Sequence, residues 1–212
     1  VNQIDLTLYL VLDPDLCGGL ENMVETARIA AQHGATVVQL RAPNQKKRWW
    51  LQAARQLKAV LDPLHVPLII NDHIDIALAV DAAGVHVGQA DLPPDAVRTL
   101  IGRHKILGLS TSNAEQLAAV PLDIVDYIGV GPVYPTGTKP DASPVIGLAE
   151  CARLMRAKAC PAVAIGGIKP GMAAPLIAAG VDGVAVVSAI CGQPDPAIAT
   201  RQLLDEITGA RS

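Results

Sequence analysis

Eight short runs rich in Val, Ile and Leu alternate with eight amphipathic stretches along nearly the whole chain, and this alternation restricts the fold more than any other feature. The runs lie at 8–12, 36–40, 67–70, 85–87, 106–110, 125–130, 162–165 and 183–187. They are almost continuously apolar, as strands covered on both faces should be. The intervening stretches predict helices at about 20–33, 45–61, 74–82, 94–102, 113–119, 147–158 and 170–179, with a last one at 195–208. Gly34, Gly84 and Gly180 stand where helices would end. Strand–helix units repeated eight times in 212 residues predict an α/β fold, a single (β/α)8 TIM barrel, with 1–212 forming one catalytic domain. The competing architecture is an open doubly wound sheet. No Gly-x-Gly-x-x-Gly follows the first strand, which weakens a dinucleotide-binding version of it.

Composition narrows the partners. Half the residues are apolar, yet no run approaches the ~18 needed to span a bilayer. Leu6-Thr7-Leu8-Tyr9-Leu10-Val11-Leu12 has no basic leader before it and no small-residue cleavage site after it, so it reads as a strand rather than a signal peptide. A net charge of −3 argues against general nucleic-acid binding. Cys17, Cys151, Cys160 and Cys191 form no Cys-x-x-Cys pair, so a zinc site is not expected and a reducing, cytoplasmic setting is.

In a barrel the chemistry sits beyond the C-terminal ends of the strands. Two turns there are nearly bare of side chains, one at Gly166-Gly167 and one after the run that starts at Gly183. Bare backbone N–H groups beside a helix start make a phosphate site. The plainer reading is that the glycines only permit tight turns. Asp72 and Asp91 end adjacent strands, and two carboxylates that leave room for water and phosphate oxygens suit Mg²⁺, with a paired acid/base device as the rival reading. Taken singly, each could instead cap the following helix, at His73 or at Pro93-Pro94. Arg41 ends an apolar strand, where it could clamp a phosphate or pair across the rim. Thr136, Thr138 and Lys139 lie in a long loop and offer two hydroxyls and an ammonium to an anion. His86, alone in its strand, reads as a hydrogen-bonded structural residue. Trp49 and Trp50 point about 100° apart on a helix, so one of them could mark an oligomer contact.

These motifs, in this order, resemble the thiamine phosphate synthase family. The resemblance runs through Gln39-Leu40-Arg41, Ile69-Ile70-Asn71-Asp72, Gly84-Val85-His86-Val87-Gly88-Gln89-Ala90-Asp91 and Gly108-Leu109-Ser110. It continues through 126–139, Ile165-Gly166-Gly167-Ile168 and Val187-Ser188-Ala189-Ile190. It implies a transferase that joins 4-amino-5-hydroxymethyl-2-methylpyrimidine diphosphate to 4-methyl-5-(2-phosphoethyl)thiazole, or its carboxylated form. The products are thiamine monophosphate and pyrophosphate. It also implies roles: Mg²⁺ on Asp72 and Asp91; the pyrimidine diphosphate on Gln39, Arg41, Asn71, Ser110 and Lys139; the thiazole phosphate on Thr136, Thr138, Gly167, Val187 and Ser188. Arg41, Lys139 and Ser110 would be the catalytic groups. A thiazole tautomerase-like paralogue and a non-catalytic phosphate binder are the alternatives. The chain departs from the family pattern at Pro43, where a Lys is usual, and Lys46 and Lys47 are the nearest replacements.

Overall fold

A strand apolar on both faces must be covered on both, and a closed barrel inside a ring of helices does this for every strand at once. The computed structural model describes residues 2–137 and 144–211. It has β1 (Leu8–Leu12), β2 (Val37–Leu40), β3 (Leu68–Asn71), β4 (Gly84–Val87), β5 (Ile106–Thr111), β6 (Tyr127–Val130), β7 (Ala162–Ile165) and β8 (Gly183–Val186). All pair in parallel with their sequence neighbours, and β8 closes on β1. The helices are α1 (Leu20–Gln32), α2 (Lys47–Leu61), α3 (Ile74–Ala79), α4 (Pro94–Ile101), α5 (Ala114–Ala118), α6 (Gly147–Arg156), α7 (Ala173–Ala178) and α8 (Pro196–Gly209). No helix among the described residues is long and apolar enough to cross a membrane.

Alternation along each strand splits the core in two. Leu8, Leu10, Leu12, Val38 and Leu40 face outward and pack with helix residues such as Met23, Leu57 and Leu203. Tyr9, Val11, Val37, Ile69, Ile106, Tyr127, Val163 and Ala185 fill the interior.

Several helices are shorter than the sequence predicts. α7 starts at Ala173 rather than near 170 because Pro170-Gly171 intervenes, with Gly171 at φ 87°. Its first N–H groups are satisfied from a distant element: Glu206 on α8 accepts from Gly171, Ala173 and Ala174 at 2.7–2.8 Å. α3 stops at Ala79, ahead of Asp81, which is left-handed at φ 53°.

Gly183 is not part of a phosphate turn. It opens β8 at the opposite end of the barrel, where a Cβ would lie 1.7 Å from the Leu6 carbonyl oxygen. Trp50 is buried, and its indole N–H donates to the Ala42 carbonyl at 3.1 Å.

Candidate active site

Period two decides which side chains reach the mouth. Val37, Ile69, Ile106 and Tyr127 point inward, so Gln39, Asn71, Ser110 and Gly129 share their side of the wall, nearer the C-terminal end. Arg41 follows just past β2, and its N–H is anchored on the Leu12 carbonyl at 3.3 Å. Its guanidinium has no carboxylate partner among the described residues. Among the described residues no cross-rim salt bridge to Arg41 is formed, and its place just past β2 puts it at the C-terminal mouth.

Each of the two carboxylates accepts from a neutral donor. Asp72 adopts φ 58°, a left-handed conformation that Asp tolerates. Its backbone N–H donates to the His86 carbonyl at 2.9 Å, and the Asn71 amide donates to its Oδ2 at 2.6 Å. Asp91 Oδ2 accepts from the Gly88 N–H at 2.8 Å. The N-cap positions of α3 and α4 are held by His73 and Pro93, so neither Asp caps a helix. Asp91 lies close enough to His73, the residue after Asp72, to act on its imidazole. Burial, then the Lys47 ammonium, holds His73 below the ordinary imidazole range, with Asp75 and Asp91 opposing. Two exposed carboxylates at one corner form a hard oxygen donor set of the kind that suits Mg²⁺, which keeps several waters and substrate oxygens. Lys47 borders the same corner. It lines a groove with Asp72, and its Nζ lies 2.7 Å from Asp75 Oδ1 and 2.8 Å from His73 Nδ1.

Across the mouth, the loops after β6 and β7 are stitched together. The N–H groups of Val133 and Tyr134 donate to the carbonyls of Ile165 and Gly166 at 2.9 and 3.0 Å. Gly167 is left-handed at φ 66°, and a Cβ there would meet the Pro135 carbonyl oxygen at 2.4 Å. Gly167 is bare for this packing as well as for any anion. After β8 the chain makes a tight helical turn, with Ile190 and Cys191 donating to the Val187 carbonyl at 3.1 and 2.8 Å. The N–H groups of Gly167 and Ser188 have no acceptor among the described residues. Because α7 and α8 start several residues later, these turns and not long helix ends present the donors. Thr136 sits half-buried at the lip. Thr138 and Lys139 lie outside the described residues.

Inside the barrel, sequence reasoning missed a set of polar contacts. Gln39 Nε2 donates to Tyr9 Oη at 2.8 Å, and Tyr9 Oη lies 2.7 Å from Tyr127 Oη. Tyr127 Oη lies 3.0 Å from His86 Nδ1, and His86 Nε2 lies 2.9 Å from Ser110 Oγ. The available signal was register. Gly108 stands opposite both His86 and Tyr127, and a Cβ there would come within 2.5 Å of each of the two side chains. Glycine at an inward position in two neighbouring strands, Gly108 on β5 and Gly129 on β6, marks space reserved for large side chains.

The family profile described as thiamine monophosphate synthase matches residues 8–190. A thiamine-phosphate synthase of Laribacter hongkongensis is 56% identical over 200 residues, covering 94% of each chain. One of Xanthobacter autotrophicus is 48% identical over 207 residues, covering 98% of each. The solved thiamine phosphate pyrophosphorylase of Pyrococcus furiosus superposes with a TM-score of 0.87 at 32% identity, over 98% of both chains. A barrel with this rim, matched almost end to end, belongs to the thiamine monophosphate synthase family.

Proposed function

We propose that the chain is a thiamine phosphate synthase, a transferase that makes thiamine monophosphate and pyrophosphate from the pyrimidine diphosphate and the thiazole phosphate. One observation carries the reading: in a chain 56% identical to a synthase, an Arg, two carboxylates and two N–H-bearing turns surround one barrel mouth. The setting is cytoplasmic, in keeping with four free cysteine thiols.

The bond between the pyrimidine methylene and the diphosphate oxygen breaks, and pyrophosphate leaves with the electron pair. The thiazole nitrogen then attacks the cationic methylene. Such a path needs charge stabilisation and orientation more than a protein nucleophile. Asp72 and Asp91 would hold Mg²⁺, which would supply positive charge to a departing pyrophosphate. Arg41 pairs with the diphosphate bidentately, Lys139 adds an ammonium, and Asn71 and Ser110 donate neutral hydrogen bonds. Gln39, at the inner end of the mouth, takes the pyrimidine edge. Gly167, Val187 and Ser188 hold the thiazole phosphate with backbone N–H groups, and the hydroxyls of Thr136 and Thr138 are further donors to it. The direct test is incubation with both substrates and Mg²⁺. Thiamine monophosphate should appear, and binding of either substrate without turnover would overturn the reading.

A further inference from the structure

The contacts inside the barrel form an unbroken chain from Gln39 to Ser110, and donor counting gives it a direction. The Gln39 amide is oriented with Nε2 toward Tyr9, and in that orientation it donates and Tyr9 Oη accepts. Both tyrosines are fully buried, so every hydroxyl proton needs an acceptor within the chain. Tyr9 therefore donates to Tyr127, and Tyr127 donates to His86 Nδ1. His86 Nδ1 then carries no proton. The proton of the neutral ring sits on Nε2 and is donated to Ser110 Oγ. The reverse direction would send two donors into Tyr9 Oη and leave its own proton without an acceptor. Burial keeps both phenols protonated, pushing Tyr9 and Tyr127 above the ordinary tyrosine value.

The two ends are thereby polarised. With its Nε2 committed to Tyr9, Gln39 turns its carbonyl oxygen, which has no partner among the described residues, toward the mouth. With its oxygen accepting from His86, Ser110 turns its O–H proton toward the mouth. A Ser–His contact of 2.9 Å otherwise resembles a nucleophile and its base. Here the histidine holds its proton on the nitrogen facing serine and cannot take the serine's. Ser110 is set as a donor to an anion rather than as a nucleophile.

We propose that Tyr9, Tyr127 and His86 are positioning residues: a one-way hydrogen-bond chain through the barrel that presents Gln39 as an acceptor and Ser110 as a donor to the pyrimidine diphosphate. The proposal rests on the placement of that substrate given above. Glycine at 108 and 129 is part of the device, because a Cβ at 129 would lie 3.2 Å from His86 Cε1.

Tyr127→Phe keeps the ring and cuts the chain in the middle. It should lower kcat/KM for the pyrimidine diphosphate on the order of tenfold, the usual scale for an outer partner, and leave the thiazole phosphate KM within about twofold. His86→Gln, whose amide can still donate to Ser110, should retain more activity than His86→Ala. Ring-nitrogen NMR of the wild-type protein should show the His86 proton on Nε2. A proton on Nδ1 overturns the proposal without any variant. So does an unchanged Tyr127→Phe enzyme when Gln39→Ala and Ser110→Ala are both impaired toward the pyrimidine diphosphate. If those two variants are themselves unimpaired, the substrate placement fails and the proposal fails with it.

Discussion

The two ends of the barrel treat charge in opposite ways. At the N-terminal end several charged side chains are matched within the protein. Asp126 is buried, accepting from Arg98 and from the Leu107 N–H, both at 2.8 Å. Arg98 also donates to the carbonyls of Gly102, Lys105 and Ile124. Lys105 meets Asp81 and Lys158 meets Asp182, while Arg211 reaches Thr7 Oγ1 at 2.9 Å. At the C-terminal end Arg41 has no acidic partner among the described residues, and the carboxylates of Asp72 and Asp91 accept from neutral N–H groups. One end ties its buried charge to its own chain, and the other carries Arg41, Asp72 and Asp91, the groups that the proposed reaction uses. Damage to the first should appear as lost stability, and damage to the second as lost turnover.

The largest effect should fall at the matched end. Arg98→Ala strands a buried carboxylate, and removing one partner of a buried pair costs roughly 3–5 kcal/mol. Denaturant unfolding should show that loss, while kcat per folded molecule stays at the wild-type value. A fall in kcat with unchanged unfolding would erase the contrast between the ends.

The converse holds for the open end. Asp72→Asn and Asp91→Asn remove charge but keep side-chain size, and Asn tolerates the left-handed backbone at position 72. Turnover should fall on the order of 10²–10³-fold, the scale for losing electrostatic stabilisation of a transition state, with the unfolding midpoint nearly unmoved. EDTA should abolish wild-type activity and added Mg²⁺ should restore it. Full activity in EDTA would remove the metal from the reading.

Two glycines at opposite ends of the barrel sharpen the contrast. Gly183→Ala forces a Cβ into the Leu6 carbonyl and should unfold the protein more readily without altering either KM. Gly167→Ala presses on Pro135 and displaces the loop carrying Thr136. Its strained φ should cost about 1–3 kcal/mol, and it should raise the thiazole phosphate KM well above any change in the pyrimidine diphosphate KM.

Strand positions were legible to within two residues because each strand is buried on both faces and leaves an apolar run. The rim residues were legible because each follows such a run. What stayed hidden was non-local. The start of α7 depends on Glu206, some thirty residues downstream on α8. The chain from Gln39 to Ser110 depends on the register that sets Gly108 beside His86 and Tyr127. A lone strand histidine signals neither. Asp72 and Asp91 each read singly as helix caps, and only the observed caps at His73 and Pro93 separate them from that role.

The barrel interior lies between the two ends and should respond to alkali. Burial raises Tyr9 and Tyr127 above the ordinary tyrosine range, so folding favours their protonated forms. Their contribution is complete below about pH 10, the unfolded tyrosine value, and is lost as pH rises through the folded values. Ultraviolet titration of the native protein should show ionisation of Tyr134 alone among the three tyrosines, with the other two ionising as the barrel unfolds. Early ionisation of either would mean the interior admits water.

The smallest effect tests whether the open end has a substitute for the lysine usual at Pro43. Lys47 is the candidate, since it borders the corner that holds Asp72. In the absence of substrate it is engaged by Asp75 and His73, but that ion pair is more than half exposed on both sides. An exposed pair contributes roughly 0–1 kcal/mol, little enough for an arriving diphosphate to outbid. The side chain therefore needs only to rotate from Asp75 toward the mouth. Lys47→Ala should leave unfolding within about 0.5 kcal/mol of wild type and raise the pyrimidine diphosphate KM several-fold, with the thiazole phosphate KM unchanged. Asp75→Asn should act in the opposite direction, lowering that KM by releasing Lys47. Pro43→Lys should rescue Lys47→Ala. If Lys47→Ala changes nothing and Lys46→Ala raises the KM instead, the substitute is the neighbouring residue at the start of α2. If neither matters, Arg41 and Lys139 are sufficient cations for the diphosphate, and the open end tolerates the proline without compensation.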